Sequence, residues 1–511
     1  MRILQVIHQF PPFSSQGSEM HCRQLATALL GHGDTVGVFQ IESRAQIAML
    51  PRTQPRTLDD LTIQVSIVRP GPIQGGMVHP YLRRRTGAEP VTYPHPLLEP
   101  CLAKTLGVPL FQEQLMQMAI DVAGFTPAEA DLLRQAMGSK RSKQRMARMR
   151  ERLMLGMAER GITGEVADEI FTKMAAFANY GFPESHSVSF SYLVYASAWL
   201  KFHEPAAFCA ALLNAQPMGF WSPHSLCQDA RRHGVVVLTP DLAASRSGAT
   251  LEPCDRGVGG VAVRLGLASV RGVGSELADE IVAGQPYTSV EDLVRRVPSV
   301  RLAHLEAMAT AGVFDCFGLD RRAALWAVGA ASQTSADRLE GVVLGQRAPR
   351  LPGMDPVEEA VADLWATGVA PNGHPTQFLR DELTRRGVVV ASDLGRCEET
   401  RVWVAGVVTH RQRPMTAQGT MFMNLEDETG LVNVVVSKGC WTRYHRVARG
   451  AAALLVRGRL ERSEGVVNVI AEEITALALA ATGEPGPAQR HRAAGHRQRG
   501  HVLVSHQRSE Q

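Results

Sequence analysis

No stretch of this sequence approaches the roughly 20 uninterrupted apolar residues that a membrane-crossing helix needs. No basic N-terminal region leads into an apolar core, so neither a membrane span nor a secretory signal is expected. Cysteine is sparse and scattered. There are eight, at positions 22, 101, 209, 227, 254, 316, 397 and 440, and no C-x-x-C pair occurs. That argues against a disulfide scaffold and a zinc ribbon, and a reducing cytoplasm is the expected location. Charge of one sign is not in excess either. The formal net charge is only +4, so any attraction for a polyanion has to come from where the charges lie.

The charges are indeed uneven. From Arg134 to Arg152 there are eight Lys or Arg and one acid, Glu151. Arg141, Arg145, Arg148 and Arg152 recur at steps of four, three and four, with Met146, Met149 and Leu153 on a neighbouring helical face. One side can pack while the other presents a row of guanidinium groups, whose planar fork donates bidentately to phosphate. The pattern suits sequence-independent, salt-sensitive binding of nucleic acid or nucleotide. An ordinary solvated helix face has the same spacing. The tail from Arg490 to Arg508 is also basic, with His491, His496, His501 and His506 five residues apart. No metal is expected there, because no fold fixes the ligand geometry.

The 511 residues are enough for about three or four domains. Residues 1–34 read as a strand, a Pro/Ser/Gly loop and a helix ended by Gly31–Gly33. Residues 35–215 are mostly helical, 216–260 a mixed connecting segment and 261–330 a compact helical segment. Residues 331–395 read as a linker with helices. Five short alternating runs at 401–409, 420–425, 431–436, 452–460 and 465–470 read as strands within 396–478, and 479–511 as a disordered basic tail. The expected class is multidomain α+β: a mostly helical part followed by a five-stranded β-barrel.

Two of these segments carry their own chemistry. RGVG at 271–274, between an apolar helix and a second helix starting at Ser275, looks like a helix-hairpin-helix. Gly272 and Gly274 let the hairpin backbone, flanked by Arg271 and Val273, approach a DNA phosphate, and the N–H groups of the second helix favour an anion. A Gly-capped αα-hairpin is the plain alternative. LEAMATAGVFDCFG (305–318) resembles the companion unit of such a motif in repair and replication proteins. The strand-rich segment has the rhythm of an OB-fold, which binds single strands in a basic groove with stacking aromatics. His410, Arg411, Arg413, Arg457, Arg459 and Arg462 supply charge there. Phe422, Trp441 and Tyr444 are candidate platforms, with core residues as the plain alternative.

VGVFQIESRAQ, VRPGPIQGGMV, LFQEQLMQMA, LLRQAMGSKR and YGFPESHSVSFSYLVYASAWLK stand in this order between residues 36 and 201. Together they resemble the fingers of bacterial C-family DNA polymerases. GFPESHSVSF and PAAFCAALLNAQPMGFWSP are most similar to the error-prone, damage-inducible branch, and the resemblance runs from about residue 35 to about 478. It implies translesion synthesis on a DNA primer-template and contacts with single-stranded DNA. It further implies use of dNTPs and Mg2+, with the sliding clamp and other mutagenesis proteins as partners. By motif position Arg134 would contact the incoming nucleotide's phosphates, Lys140 and Arg141 would add charge nearby, and Ser185 and His186 would lie near the nucleotide, with His186 able to donate to phosphate or sugar. The family often has a second arginine where this chain has Gln135. Arg145, Arg148 and Arg152 would face DNA, and Arg69 would brace the fingers.

The carboxylates that bind the metals in this family sit in a palm segment N-terminal to VGVFQIESR. Their P-D-x-D pattern does not occur here, and the nearest string is Pro240-Asp241-Leu242-Ala243. In their place, residues 1–34 resemble the start of a GT-B glycosyltransferase, without its second Rossmann domain or acidic nucleotide-sugar motif. A chimeric or rearranged reading frame joined within HGDTVGVFQ (32–40) is the expected account. No catalytic and no metal-binding residue is therefore expected in this chain.

Overall fold

A computed structural model describes residues 29–69, 76–137, 142–177, 182–334, 348–413, 419–463 and 466–478. The strand-loop-helix expected before residue 29 and the spaced histidines after residue 478 lie outside them. No helix among the described residues is long and apolar enough to cross a membrane.

The helical part opens with α1 (Arg44–Thr53) and α2 (Leu58–Ile67). Each is started by a side chain that accepts a first-turn N–H, Ser43 from Gln46 and Thr57 from Asp60, the second in a reciprocal capping box. Helices α3 (Val78–Arg85), α4 (Glu99–Leu102), α5 (Gln112–Ala123), α6 (Pro127–Met137), α7 (Ser142–Glu159) and α8 (Gly164–Phe177) follow. Their inward stripes join in one core that includes Tyr81, Leu102, Leu115, Met157 and Ile170. The twenty-residue α9 (Glu184–His203) lies along α2. Paired hydroxyls meet there, Ser66 with Ser187 at 2.7 Å and Thr62 with Ser191 at 3.0 Å. Then come α10 (Pro205–Asn214) and α11 (Pro223–Arg232), each with Pro in its first turn.

A three-stranded sheet follows: β1 (Val236–Leu238), β2 (Thr250–Pro253) and β3 (Val261–Arg264), in the order β1-β3-β2. β3 carries Val263 into a core with Cys227 and Val235. The sheet thus bridges residues 260 and 261, where sequence composition alone put a division. Helices α12 (Gly274–Ala283), α13 (Val290–Arg296), α14 (Leu302–Thr310) and α15 (Arg321–Ala331) surround a second core with Ile281, Leu293, Met308 and Phe314. Next, α16 (Pro356–Thr367) is pinned by an ion pair between Arg321 and Asp363 at 2.7 Å, and α17 (Arg380–Arg385) leads into the barrel.

The barrel strands are β4 (Arg401–Gln412), β5 (Met421–Glu426), β6 (Leu431–Val436), β7 (Ala453–Ser463) and β8 (Val466–Ala476), with α18 (Lys438–Gly450) between β6 and β7. They close in the order β4-β5-β6-β8-β7, antiparallel except for the β6–β8 pair. The period-two alternation explains why the strands were readable: Val432, Val434 and Val436 all enter the core. The multidomain α+β expectation, with helical fingers, a helix-hairpin-helix and an OB-type barrel, agrees with this architecture.

Candidate nucleic-acid interface

At the hairpin, Gly272 and Gly274 have φ of 81° and 66°, the left-handed region that favours glycine. Val273 between them is buried and anchors the turn in the second core. Arg271, Gly272 and Gly274 face solvent. α12 begins at Gly274 with no side-chain cap. Its first N–H groups have no partner within the helix, so they point outward as donors for an anion. His304 stands beside the turn: a Cβ added at Gly272 would lie 3.6 Å from its Cδ2. The Arg271 N–H donates to the Ala366 carbonyl at 2.7 Å, and its guanidinium lies 4.9 Å from the ring centre of Trp365.

The barrel sorts its basic residues into two kinds. Arg413 lies over Trp441 at 5.3 Å and Arg457 over Trp403 at 5.9 Å, both at the surface. Arg459 pairs with Glu461. By contrast Arg411 is turned inward and donates to the carbonyls of Ala448 and Ala451, closing the end of α18. Arg462 likewise donates to the carbonyls of Leu394 and Cys397. Trp441 and Tyr444 pack against the barrel core. Phe422 lies under the Arg44 guanidinium at 4.7 Å. His410 is edge-on to Trp221, and its Nε2–H donates to the Phe220 carbonyl at 2.5 Å. Phe422 and His410 thus belong to the seam between barrel and helical part.

In the helical part, Arg134 forms an ion pair with Asp131 at 2.8 Å. Lys140 and Arg141 lie outside the described residues. Arg145 and Arg148 are in helix α7, with nothing described beyond the backbone. Arg152 holds Glu129 at 3.1 Å and donates to the Ala123 and Gly124 carbonyls at the end of α5. Ser185 and His186 are exposed in the first turn of α9, and the His186 ring contacts Phe190 and Phe182. Arg69 donates to Gln40 and covers Phe182 at 4.6 Å, a bracing position.

Sequence reasoning gave no sign of a buried charge cluster at the base of the fingers. Lys201, only 2% exposed, lies 2.9 Å from Asp34 and 2.8 Å from Asp229. His233 Nε2 is 2.6 Å from Asp34. Arg232 extends the network to Glu426 of the barrel at 3.0 Å, and Ser225 donates to the same carboxylate at 2.9 Å. Burial would raise the Asp34 carboxyl, but the His233 hydrogen bond and the Lys201 charge hold it well below the usual range. The bond to Asp34 raises the His233 pKa despite burial. Among the described residues, Asp34, Asp229 and His233 form the one group with metal-ligand spacing. The Lys201 ammonium contacts both carboxylates, so this set does not fit Mg2+, which demands open octahedral oxygen coordination. Asp241, in the string nearest to P-D-x-D, spends one carboxylate oxygen on the N–H groups of Ala243 and Ala244.

Comparison with known proteins matches three family models in sequence. The bacterial DNA polymerase III alpha subunit finger domain covers residues 23–161. A helix-hairpin-helix motif covers 234–324, and an OB-fold nucleic acid binding domain covers 402–477. The error-prone DNA polymerase of Nocardia farcinica is 60% identical over 465 residues, 88% of this chain and 40% of that protein. The one from Mycobacterium tuberculosis H37Rv is 56% identical over 458 residues, 88% of this chain and 41% of its own. The one from Corynebacterium jeikeium is 51% identical over 492 residues, 87% and 42% respectively. The chain spans about two fifths of the length of these curated relatives.

Proposed function

We propose, for a chain that belongs to the error-prone C-family DNA polymerases and carries the domains of their C-terminal portion, a DNA-gripping role without autonomous nucleotide transfer. The observation that carries the reading is the uncapped, double-glycine start of α12, beside Arg271 in a segment matched by a helix-hairpin-helix model. Donors there can seat a backbone phosphate of a primer-template whatever its sequence. On the barrel, Arg413 and Arg457, each over a tryptophan, are the guanidinium groups best placed to follow a single strand. Arg411 and Arg152 act instead through the helix ends they close. In the fingers, Arg134, Ser185 and His186, with Lys140 and Arg141, take the triphosphate of the incoming nucleotide, and Arg145 and Arg148 take DNA.

Phosphoryl transfer needs carboxylates that hold two Mg2+ ions, which activate the primer hydroxyl and the leaving pyrophosphate. This sequence has no P-D-x-D string. Its one described cluster with ligand spacing is filled by Lys201. A chain of this sequence therefore binds primer-template and contributes to translesion synthesis only with a palm supplied elsewhere. Fluorescence anisotropy with labelled primer-template, alongside primer extension in Mg2+, tests this. Binding without extension is expected, and extension by purified chain refutes it. The second reading is a non-catalytic interaction module from a gene fusion or frameshift, competing for the sliding clamp or other mutagenesis proteins. Capture of clamp without any DNA affinity would favour it.

A further inference from the structure

A large aromatic stands next to the hairpin, on a helix that no part of the DNA-binding reading uses. Trp365, on α16, is 49% exposed, and Val361 one turn before it is 50% exposed. This exposure is built in. The opposite face of α16 is locked by the buried Arg321–Asp363 pair and by Ala360 and Ala366, both buried. The end of the helix is tied to the hairpin by the Arg271 N–H to the Ala366 carbonyl. The Arg271 guanidinium covers part of the indole at 4.9 Å. An exposed indole carrying a guanidinium, beside an uncapped helix start, unites what a nucleotide needs. It offers a π-face for the base, a cation for the charge and N–H donors for the phosphate.

We infer that Trp365, with Arg271 on its ring, is a seat for an unpaired nucleobase of the strand whose phosphate the hairpin holds. The inference rests on the hairpin reading above and adds the ligand's chemistry: a base outside a duplex, taken by stacking and so with little sequence preference. The charge surroundings are mixed, with Glu276 in the first turn of α12 and cations on the hairpin edge. Besides Arg271, the hairpin edge carries Arg301 and His304, joined by the Arg301 N–H donating to His304 Nδ1 at 3.2 Å. An apolar protein partner would leave these cations without a role.

The test uses the full chain and two labelled DNAs, a blunt duplex and the same duplex with a single-stranded overhang. Stacking on an aromatic is lost on truncation at a cost of about five- to a hundredfold in affinity. Trp365→Ala should weaken overhang binding by about tenfold within that range, leave blunt-duplex binding within about twofold, and leave the salt slope unchanged. Trp365→Phe should restore most of the loss. Arg271→Ala should instead reduce the salt slope by about one. A 5-bromouracil placed in the overhang should photo-crosslink to Trp365. Equal affinity of Trp365→Ala and parent for the overhang, or equal losses on both DNAs, overturns the seat. Should the parent bind neither DNA, or a Gly272→Val, Gly274→Val variant bind both as the parent does, the hairpin reading itself fails, and that outcome is distinct from loss of the seat alone.

Discussion

Replacing Lys201 by Met tests whether the base of the fingers and the barrel are held as one unit. The methionine keeps most of the apolar stem and removes the charge. The ammonium has two carboxylate partners, at 2.9 Å and 2.8 Å, and donates to the Val36 carbonyl at 3.2 Å. Breaking a buried pair from one side costs about 3–5 kcal/mol, because the orphaned charge stays buried. Here Asp34 keeps His233, and Asp229 keeps Arg232 at 3.7 Å, which puts the loss near the lower end, about 3 kcal/mol. For a cooperative unit of about 150–250 residues that lowers the melting temperature by roughly 6–12 °C. Calorimetry on parent, Lys201→Met, Asp34→Asn and the double variant measures it. The double variant should lose less than the sum of the single losses, since removing Asp34 relieves part of the uncompensated negative charge. A Lys201→Met chain that melts within about 1 °C of the parent, or strictly additive losses, would show that the cluster does not hold the seam.

The cluster also sets a pH signature. The His233 pKa is raised on folding by Asp34, with Asp229, Lys201 and Arg232 facing the same site, so its contribution is complete below the unfolded value near 6.5 and is lost as pH rises through the folded value. Melting between pH 6 and 9 should therefore fall more steeply in the parent than in His233→Gln, and parallel curves would count against it. Because Lys201 fills the Asp34–Asp229–His233 cluster, millimolar Mg2+ or Zn2+ should leave the parent's melting temperature unchanged, and a rise of several degrees would contradict this. Gly274→Ala places a Cβ at φ 66° with no atom within 4 Å. It should cost about 1 kcal/mol in stability and weaken duplex binding several-fold in anisotropy, while wild-type affinity would argue that the helix start does not touch phosphate. Arg411→Ala, which frees the Ala448 and Ala451 carbonyls, should destabilise the barrel in urea with little change in the salt slope of DNA binding.

Features with a local cause were legible in the sequence. Alternation of period two announced β6, and RGVG announced a turn whose φ values only glycine adopts easily. Arg152 and Arg411 show where such reading stops. Each looked like a free cation, yet each meets a helix end brought in by the fold, that of α5 or of α18. Their partners lie 29 and 37 residues away, and no periodicity encodes that. Lys201 and Asp34 are 167 positions apart, so neither betrays the other. Trp365 went unread because half-burial of an amphipathic helix depends on which face the rest of the molecule covers. Whether Phe422 is a platform or a core residue is equally beyond local pattern, because Arg44, from the far end of the described chain, lies on it.

Glu426 reaches Arg232 across 194 residues and Ser225 across 201, which has a meaning for the order of synthesis. A ribosome adding about 5–20 residues per second takes roughly 10–40 s to travel that far. For that interval α11 is complete while its acidic counterpart does not yet exist. Trp221 and Leu226, which pack beside Leu431 of the barrel, also wait uncovered. The nascent chain thus passes through a stage with a basic, apolar surface that only the barrel can hide. Codon changes that slow translation between residues 233 and 426 should prolong that stage, and chaperone dependence should grow with the delay.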